Sequence, residues 1–361
     1  MGLKKLIFLL STLSIFLGTP KKSVAPTIPY CPPKIGINIT KFNSSKMEKP
    51  HYSAIEKIVG EGYSTIVLNP LYYQDFYNSS KIKGMSEFKI SNLEEIIDLC
   101  KGLHAETAIK PLVNSKDNKP RTEINPKNIR EWETSYMNII KDLSKVAIFK
   151  KVNYFVVGTE LSKIFNRDPV FFSLVSDYLK KQGFEGTTLY ATEFTGLHDL
   201  STVKKINDLN IDAAGIDFYV SMEKKDSTNA KWEPEYYLKK IKEKLPSKKM
   251  YISEIGYRSV KSGNKWPMFN YKINGPMDEN IQSGCYKNFL ESSLHFNHGK
   301  RLVEGVFLWV TNSPDFSEDF YNFNPTGYSI FKKPAERTVM DFIKYPKQLN
   351  NNSIKKLYEQ N

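Results

Sequence analysis

Short apolar runs and longer amphipathic stretches alternate along most of this chain, and that alternation predicts its elements. Lys34–Ile39 is a short apolar run that reads as a strand, and His51–Gly60 reads as a short helix. Ser64–Asn69 is a second strand, closed by Pro70. Ser91–Lys101 has a capping serine, an early Glu pair and helical spacing of Leu and Ile. Glu106–Lys110 is a third strand, followed by Pro111. Asn125 and Pro126 open a long helix to about Val146, with the proline near its start, where a missing N–H is tolerated. Asn153–Glu160 is a fourth strand, and Pro169–Gln182 a helix that Gly183 ends. Strands Thr187–Thr192, Ala213–Tyr219, Lys249–Glu254 and Gly305–Val310 then alternate with helices Leu200–Leu209, Pro234–Leu245, Asp278–Phe296 and Lys333–Ile343.

Strands that helices cover on both faces are continuously apolar, and strands alternating with helices argue a parallel sheet. Eight such alternations favour a closed barrel over an open doubly wound sheet. The first turn, from Asn38 to Asn43, also lacks the Gly-x-Gly-x-x-Gly of a dinucleotide-binding fold. The predicted fold is therefore α/β, a single (β/α)8 TIM barrel with a parallel eight-stranded core over residues 34–345. A length of 361 residues accommodates it as one large domain.

Outside the barrel, Lys4 and Lys5 precede an apolar run from Leu6 to Leu17, the form of a signal peptide and short for a membrane span. Residues 1–25 are read as a signal peptide or N-terminal anchor, 26–33 as a Pro-rich linker and 346–361 as a polar tail. The expected location is secreted, periplasmic or cell-surface, with no integral membrane domain beyond that possible anchor. Formal net charge is +13, or +9 without residues 1–25, which carry four lysines and no acid. The lysines are scattered, as in Lys239–Lys244, and no nucleic-acid module gathers them, so no nucleic-acid partner is expected. Cys31, Cys100 and Cys285 are an odd set for an exported chain, and no pattern of Cys or His has metal-ligand spacing. Neither a metal nor a cofactor is expected, and no oligomeric state is read from the pattern.

The predicted strands deliver polar or aromatic residues to one rim, where parallel barrels do their chemistry. These are Asn38, Asn69, Lys110, Glu160, Thr192 with Glu193, Asp217 with Tyr219, Glu254 and Trp309. Glu160 and Glu254 stand out, because a carboxylate closing an apolar strand is poorly placed for packing. Two facing carboxylates suit glycosidic cleavage: one protonates the leaving oxygen, and the other attacks the anomeric carbon or activates water. The acid needs a pKa raised by burial or by neighbouring negative charge. Tyr219 on the adjacent strand is a donor for Glu254, Trp309 a flat floor for a sugar ring, and Asn69 and Lys110 donors to sugar hydroxyls. Glu193 and Asp217 are alternatively ion-pair partners for Lys110 or Arg258, and Trp309 alternatively core.

The chain resembles the clan of retaining barrel glycosidases whose acid/base ends strand four and whose nucleophile ends strand seven. Within that clan it is most similar to glycoside hydrolase family 113, a β-mannanase-like group. The resembling stretches are Ala108–Val113, Val157–Leu161, Gly215–Tyr219, Ile252–Tyr257, Phe307–Trp309, Gly327–Ser329 and Lys333–Glu336. The resemblance implies Glu160 as general acid/base and Glu254 as nucleophile, with Asn38, Asn69, Lys110, Thr159, Asp217, Tyr219, Tyr257 and Trp309 around a β-linked glycan. Thr159 stands where much of the wider clan has Asn, in agreement with the narrower family. Leu112 stands where the family commonly has His beside the sugar cleft. Two other readings remain open: a glycan-binding barrel without turnover, and a barrel enzyme of other chemistry with Lys110 as a Schiff-base lysine.

Overall fold

Eight parallel strands close on one another, first to last, in the computed structural model of this protein. The structure describes residues 31–40, 49–84, 90–222, 234–265, 267, 275–297, 300–309 and 327–345. The strands are β1 (Lys34–Thr40), β2 (Thr65–Asn69), β3 (Leu71–Gln74), β4 (Glu106–Ile109), β5 (Leu112–Ser115), β6 (Tyr154–Thr159), β7 (Thr187–Phe194), β8 (Ala213–Phe218), β9 (Lys249–Ile255) and β10 (Val303–Trp309). The helices are α1 (Lys49–Gly60), α2 (Ile90–Gly102), α3 (Ile129–Phe149), α4 (Ser162–Arg167), α5 (Val170–Lys181), α6 (Leu200–Asn207), α7 (Pro234–Lys244), α8 (Glu279–Phe296) and α9 (Pro334–Lys344). Around the barrel the order is β1-β10-β9-β8-β7-β6-β4-β2. The predicted (β/α)8 barrel is thus the observed one.

Helix starts follow local chemistry. Asn128 accepts the Glu131 amide ahead of α3, and Asp278 accepts the Ile281 amide ahead of α8. The prediction that Asn125 and Pro126 open α3 is therefore a few residues early, because Asn128 holds the cap. Gly183, at φ 98°, closes the turn after α5. The pair β3 and β5 forms a separate two-stranded parallel sheet that the pattern did not predict. Pro70 and Pro111 read as strand ends because neither has an N–H for the ladder. The chain instead resumes in a second ladder, begun where the Leu112 amide donates to Pro70 O at 2.9 Å.

Two apolar groups result from the pleat. Outward side chains pack under the helices, while Val67, Val156, Leu189, Ala191, Tyr251 and Phe307 fill the lumen. At the N-terminal end Lys34 Nζ meets Glu106 Oε1 at 2.5 Å, and Tyr154 donates to Glu106 Oε2 at 2.8 Å. This plug leaves the polar lumen positions at the C-terminal rim.

Gly158 is a packing requirement. A Cβ there would lie 2.5 Å from Phe172 Cε1 and 2.8 Å from Tyr190 Cε2, both on buried rings. Gly158→Ala is expected to lower stability by about 1–3 kcal/mol, as overpacked cores do. An unfolding midpoint equal to wild type would show that the rings yield freely.

Candidate active site

Both strand-end glutamates sit at breaks in strand register. β6 and β7 pair Val156 with Leu189 but Gly158 with Tyr190, so β6 carries one extra residue. Val157 and Gly158 both turn outward, and the alternation resets before the rim. Glu160 then adopts φ 52°, a left-handed conformation that few side chains take freely, and its amide donates to Ala191 O at 2.9 Å. On β9, Ile252 pairs with Ile216 but Glu254 with Asp217, again one residue over. The bulge lets both Ser253 and Glu254 reach the lumen, where Ser253 Oγ donates to Asp217 Oδ1 at 2.6 Å.

The two glutamates meet. Single carboxylate oxygens of Glu160, Asp217 and Glu254 all lie within 4.8 Å of one another. The protein's own cations hold each of them. Lys110 Nζ is 2.5 Å from Glu254 Oε1 and 3.1 Å from Asp217 Oδ1. Arg121 Nη1 is 2.5 Å from Glu160 Oε2. One oxygen of each carboxyl group is thus paired with an ammonium or a guanidinium. Tyr219 OH donates to Glu254 Oε2 at 2.8 Å, as the sequence predicts.

Burial governs the proton balance. It lifts the Glu160 carboxyl above its ordinary range; Arg121 pulls it back and the negative charge of Glu254 pushes it further up. Burial, then Glu254, holds Asp217 well above its ordinary value against the pull of Lys110. Burial disfavours the Lys110 charge, but Asp217 and Glu254 more than restore it, so its pKa is raised. Two cations thus face three carboxyl groups, an arrangement that favours one retained proton among them.

The remaining predicted residues divide. Lys110 is completely buried, and its ammonium is taken by Asp217 and Glu254 rather than offered to sugar hydroxyls. Asn38 Nδ2 lies 3.1 to 3.4 Å from the carbonyl oxygens of Ser253, Phe307 and Leu308. Asn69 Nδ2 donates to Ile39 O and Val67 O, both at 3.0 Å. Both asparagine amides therefore tie strand ends together. Tyr257 lies away from the cleft: it is fully buried and packs edge-to-face on Tyr286 of α8, centroids 5.4 Å apart. Trp309 ends β10 within an apolar group formed with Leu71, Leu112 and Tyr328. Asn69 Oδ1, Thr159 Oγ1 and Asp217 Oδ2 are buried without a partner among the described residues, which leaves them free to bond a sugar hydroxyl.

Arg121 is absent from the sequence reading. It lies in a short turn, Arg121–Glu123, after β5, and Asn114 Oδ1 accepts from its Nε at 2.9 Å. No local pattern marks an arginine 39 positions from its partner.

A parallel barrel with two glutamates brought close across its C-terminal mouth, one at the end of β6 and one on β9, defines the class of barrel glycosidases. The family model of glycoside hydrolase family 113 matches residues 41–333, and the chain belongs to that family. It is a glycosidase, an enzyme that hydrolyses glycosidic bonds. Its fold is similar to a family 113 β-1,4-mannanase structure with TM-score 0.73 at 21% identity, covering 87% of this chain and 99% of that one. The family 113 β-mannanase of Alicyclobacillus acidocaldarius, solved in complex with ManMIm, has TM-score 0.72 at 15% identity, covering 88% of this chain and 98% of that one. The catalytic core of a xylanase A has TM-score 0.57 at 14% identity, covering 87% of this chain and 99% of that one. No curated relative matches the chain.

Proposed function

We propose that this protein is an exported retaining glycosidase that cleaves β-linked mannan-type chains by double displacement. The observation carrying the mechanism is the approach of Glu160 and Glu254, whose nearest carboxylate oxygens lie within 4.8 Å. Retaining glycosidases hold their carboxyl groups about 5–5.5 Å apart, whereas inverting ones leave about 6.5–9.5 Å for a water. In the first step an oxygen of Glu254 bonds to the anomeric carbon. The bond to the leaving oxygen breaks, and Glu160 transfers its proton to that oxygen. In the second step Glu160 takes a proton from water, the water oxygen bonds to the anomeric carbon, and the ester to Glu254 breaks.

Lys110 and Tyr219 hold Glu254 as the attacking carboxylate, and burial favours the protonated form of Glu160. The mannan reading rests on the family and on the β-1,4-mannanases of similar fold. Export rests on the lysines and apolar run of residues 4–17, which lie outside the described residues.

The test is the first-formed product from a β-1,4-manno-oligosaccharide, read by NMR before mutarotation. The β-anomer is expected, and the α-anomer would overturn retention. Glu160→Gln should slow that substrate by roughly 10²–10⁴-fold. An aryl glycoside whose leaving group needs no proton should be slowed less in its first step. Equal slowing of that step for both substrates would remove Glu160 from the acid role.

A further inference from the structure

One ionisable side chain at the rim has no part in the mechanism above. Glu193 lies on β7, between the strand that ends at Glu160 and the strand that carries Asp217. Its direction follows from the pleat. Leu189 and Ala191 belong to the lumen group, Tyr190 and Phe194 to the packing under the helices, so Glu193 turns toward the lumen. Register places it beside both machinery residues. Glu193 pairs with Asp217 on β8, and Ala191, two residues earlier, accepts the Glu160 amide. It is half-buried, so the cleft can reach it.

Its surroundings are one-sided. The charged groups acting on it are Glu160 at the end of β6, Asp199 after β7, and Glu123 in the turn after β5. The site's cations are committed elsewhere, Arg121 to Glu160 and Lys110 to Asp217 and Glu254. Asp199 is occupied by the amides of Thr195 and Gly196. Neither a hydrogen bond nor an ion pair engages the Glu193 carboxyl among the described residues. A buried ion-pair role, which the sequence leaves open for it, is therefore not what it has. β7 pairs directly with β6, which ends at Glu160, whereas β8 stands between it and the Glu254 strand β9, so Glu193 belongs to the acid's flank of the cleft.

We propose that Glu193 is a specificity-determining residue whose carboxyl group binds a hydroxyl of the sugar unit on the leaving side of the scissile bond. This rests on the retaining reading above. An acid must stand on the side from which the leaving oxygen departs, so the flank of Glu160 is where the leaving sugar lies. Burial, followed by the charge of Glu160, pushes the Glu193 carboxyl up to about 8. At neutral pH it therefore keeps its proton and can both donate to and accept from a sugar hydroxyl. A neutral carboxyl also adds no further negative charge beside Glu160.

The experiment compares two substrates with the same glycone: a β-1,4-manno-oligosaccharide, and an activated aryl glycoside with no sugar on the leaving side. Glu193→Ala should lower kcat/KM on the oligosaccharide about tenfold, the value of one good hydrogen bond, and leave the aryl glycoside near wild type. Glu193→Gln keeps a donor and an acceptor and should recover most of the oligosaccharide rate. Equal loss on both substrates would place Glu193 behind Glu160 or in the fold, and no loss on either would remove it from the cleft; both overturn the proposal. Loss on the aryl substrate alone overturns it too. A wild-type chain that cleaves neither substrate would bring down the mannan reading proposed above, and this one with it.

Discussion

Glu254→Ala should lower kcat by a factor on the order of 10⁴ or more while the barrel stays folded. The carboxylate is expected to form the bond to the anomeric carbon, and no neighbour stands ready to replace it. Asp217 shares Lys110 with Glu254, but its Oδ1 is tied to Ser253 and Lys110. Lys110 keeps Asp217 as a partner in the variant, so no buried charge is left unpaired. The vacated space lies against the anomeric carbon on the face opposite the leaving group. A small anion such as azide should enter it and restore turnover of an activated aryl glycoside. Azide then bonds to the anomeric carbon as the aryl group leaves, and the product is the inverted glycosyl azide. A variant with near-wild-type kcat, or an azide product of retained configuration, would end the assignment of Glu254 as nucleophile.

Lys110→Met should damage both stability and activity. The ammonium is completely buried and touches two carboxylates, so its removal leaves Asp217 and Glu254 facing each other without their cation. Breaking such a buried set costs about 3–5 kcal/mol at neutral pH. The effect has a defined pH dependence. Asp217 already has its carboxyl raised well above the ordinary value by burial and by Glu254, and Lys110 is the group that opposes this. A carboxyl whose folded pKa exceeds its unfolded one favours the native state below the unfolded pKa, about 3.9 for Asp. That contribution is lost as pH rises through the folded value. The deficit of Lys110→Met against wild type should therefore be small near pH 4 and full at pH 7. Unfolding midpoints measured at both values check this, and equal deficits would show that lost packing, not charge, sets the effect. Lys110→Met with Asp217→Asn should regain much of the neutral-pH stability without regaining activity. A Schiff-base role for Lys110 has little structural support, since its ammonium is enclosed by two carboxylates.

Much of the site was legible from position alone. Glu160 and Glu254 end continuous apolar strands, and in a parallel barrel strand ends converge, so pattern and fold together bring them near each other. Tyr219 was legible for the same reason: β8, which it follows, and β9 are neighbours, and its hydroxyl does reach Glu254. For Asn38, Asn69 and Tyr257 the sequence was less informative, because a strand end specifies height in the barrel but not what the side chain meets. The asparagine amides found carbonyls of neighbouring strands at that height. Tyr257 lies beyond the β9 bulge, on the side facing α8. Arg121 left no trace because a loop residue has no period.

The amino-acid order by itself determined the parallel barrel, since eight apolar runs separated by amphipathic stretches can bury their faces together in few ways. It also determined which two acids stand at strand ends. Tertiary structure alone decided their aim and their charge state. One extra residue in β6 and one in β9 turn Glu160 and Glu254 inward, and a bulge depends on how two strands pair rather than on either strand's composition. Their proton balance depends on Lys110, Arg121 and Asp217, which come from separate stretches of the chain and meet only when the barrel closes.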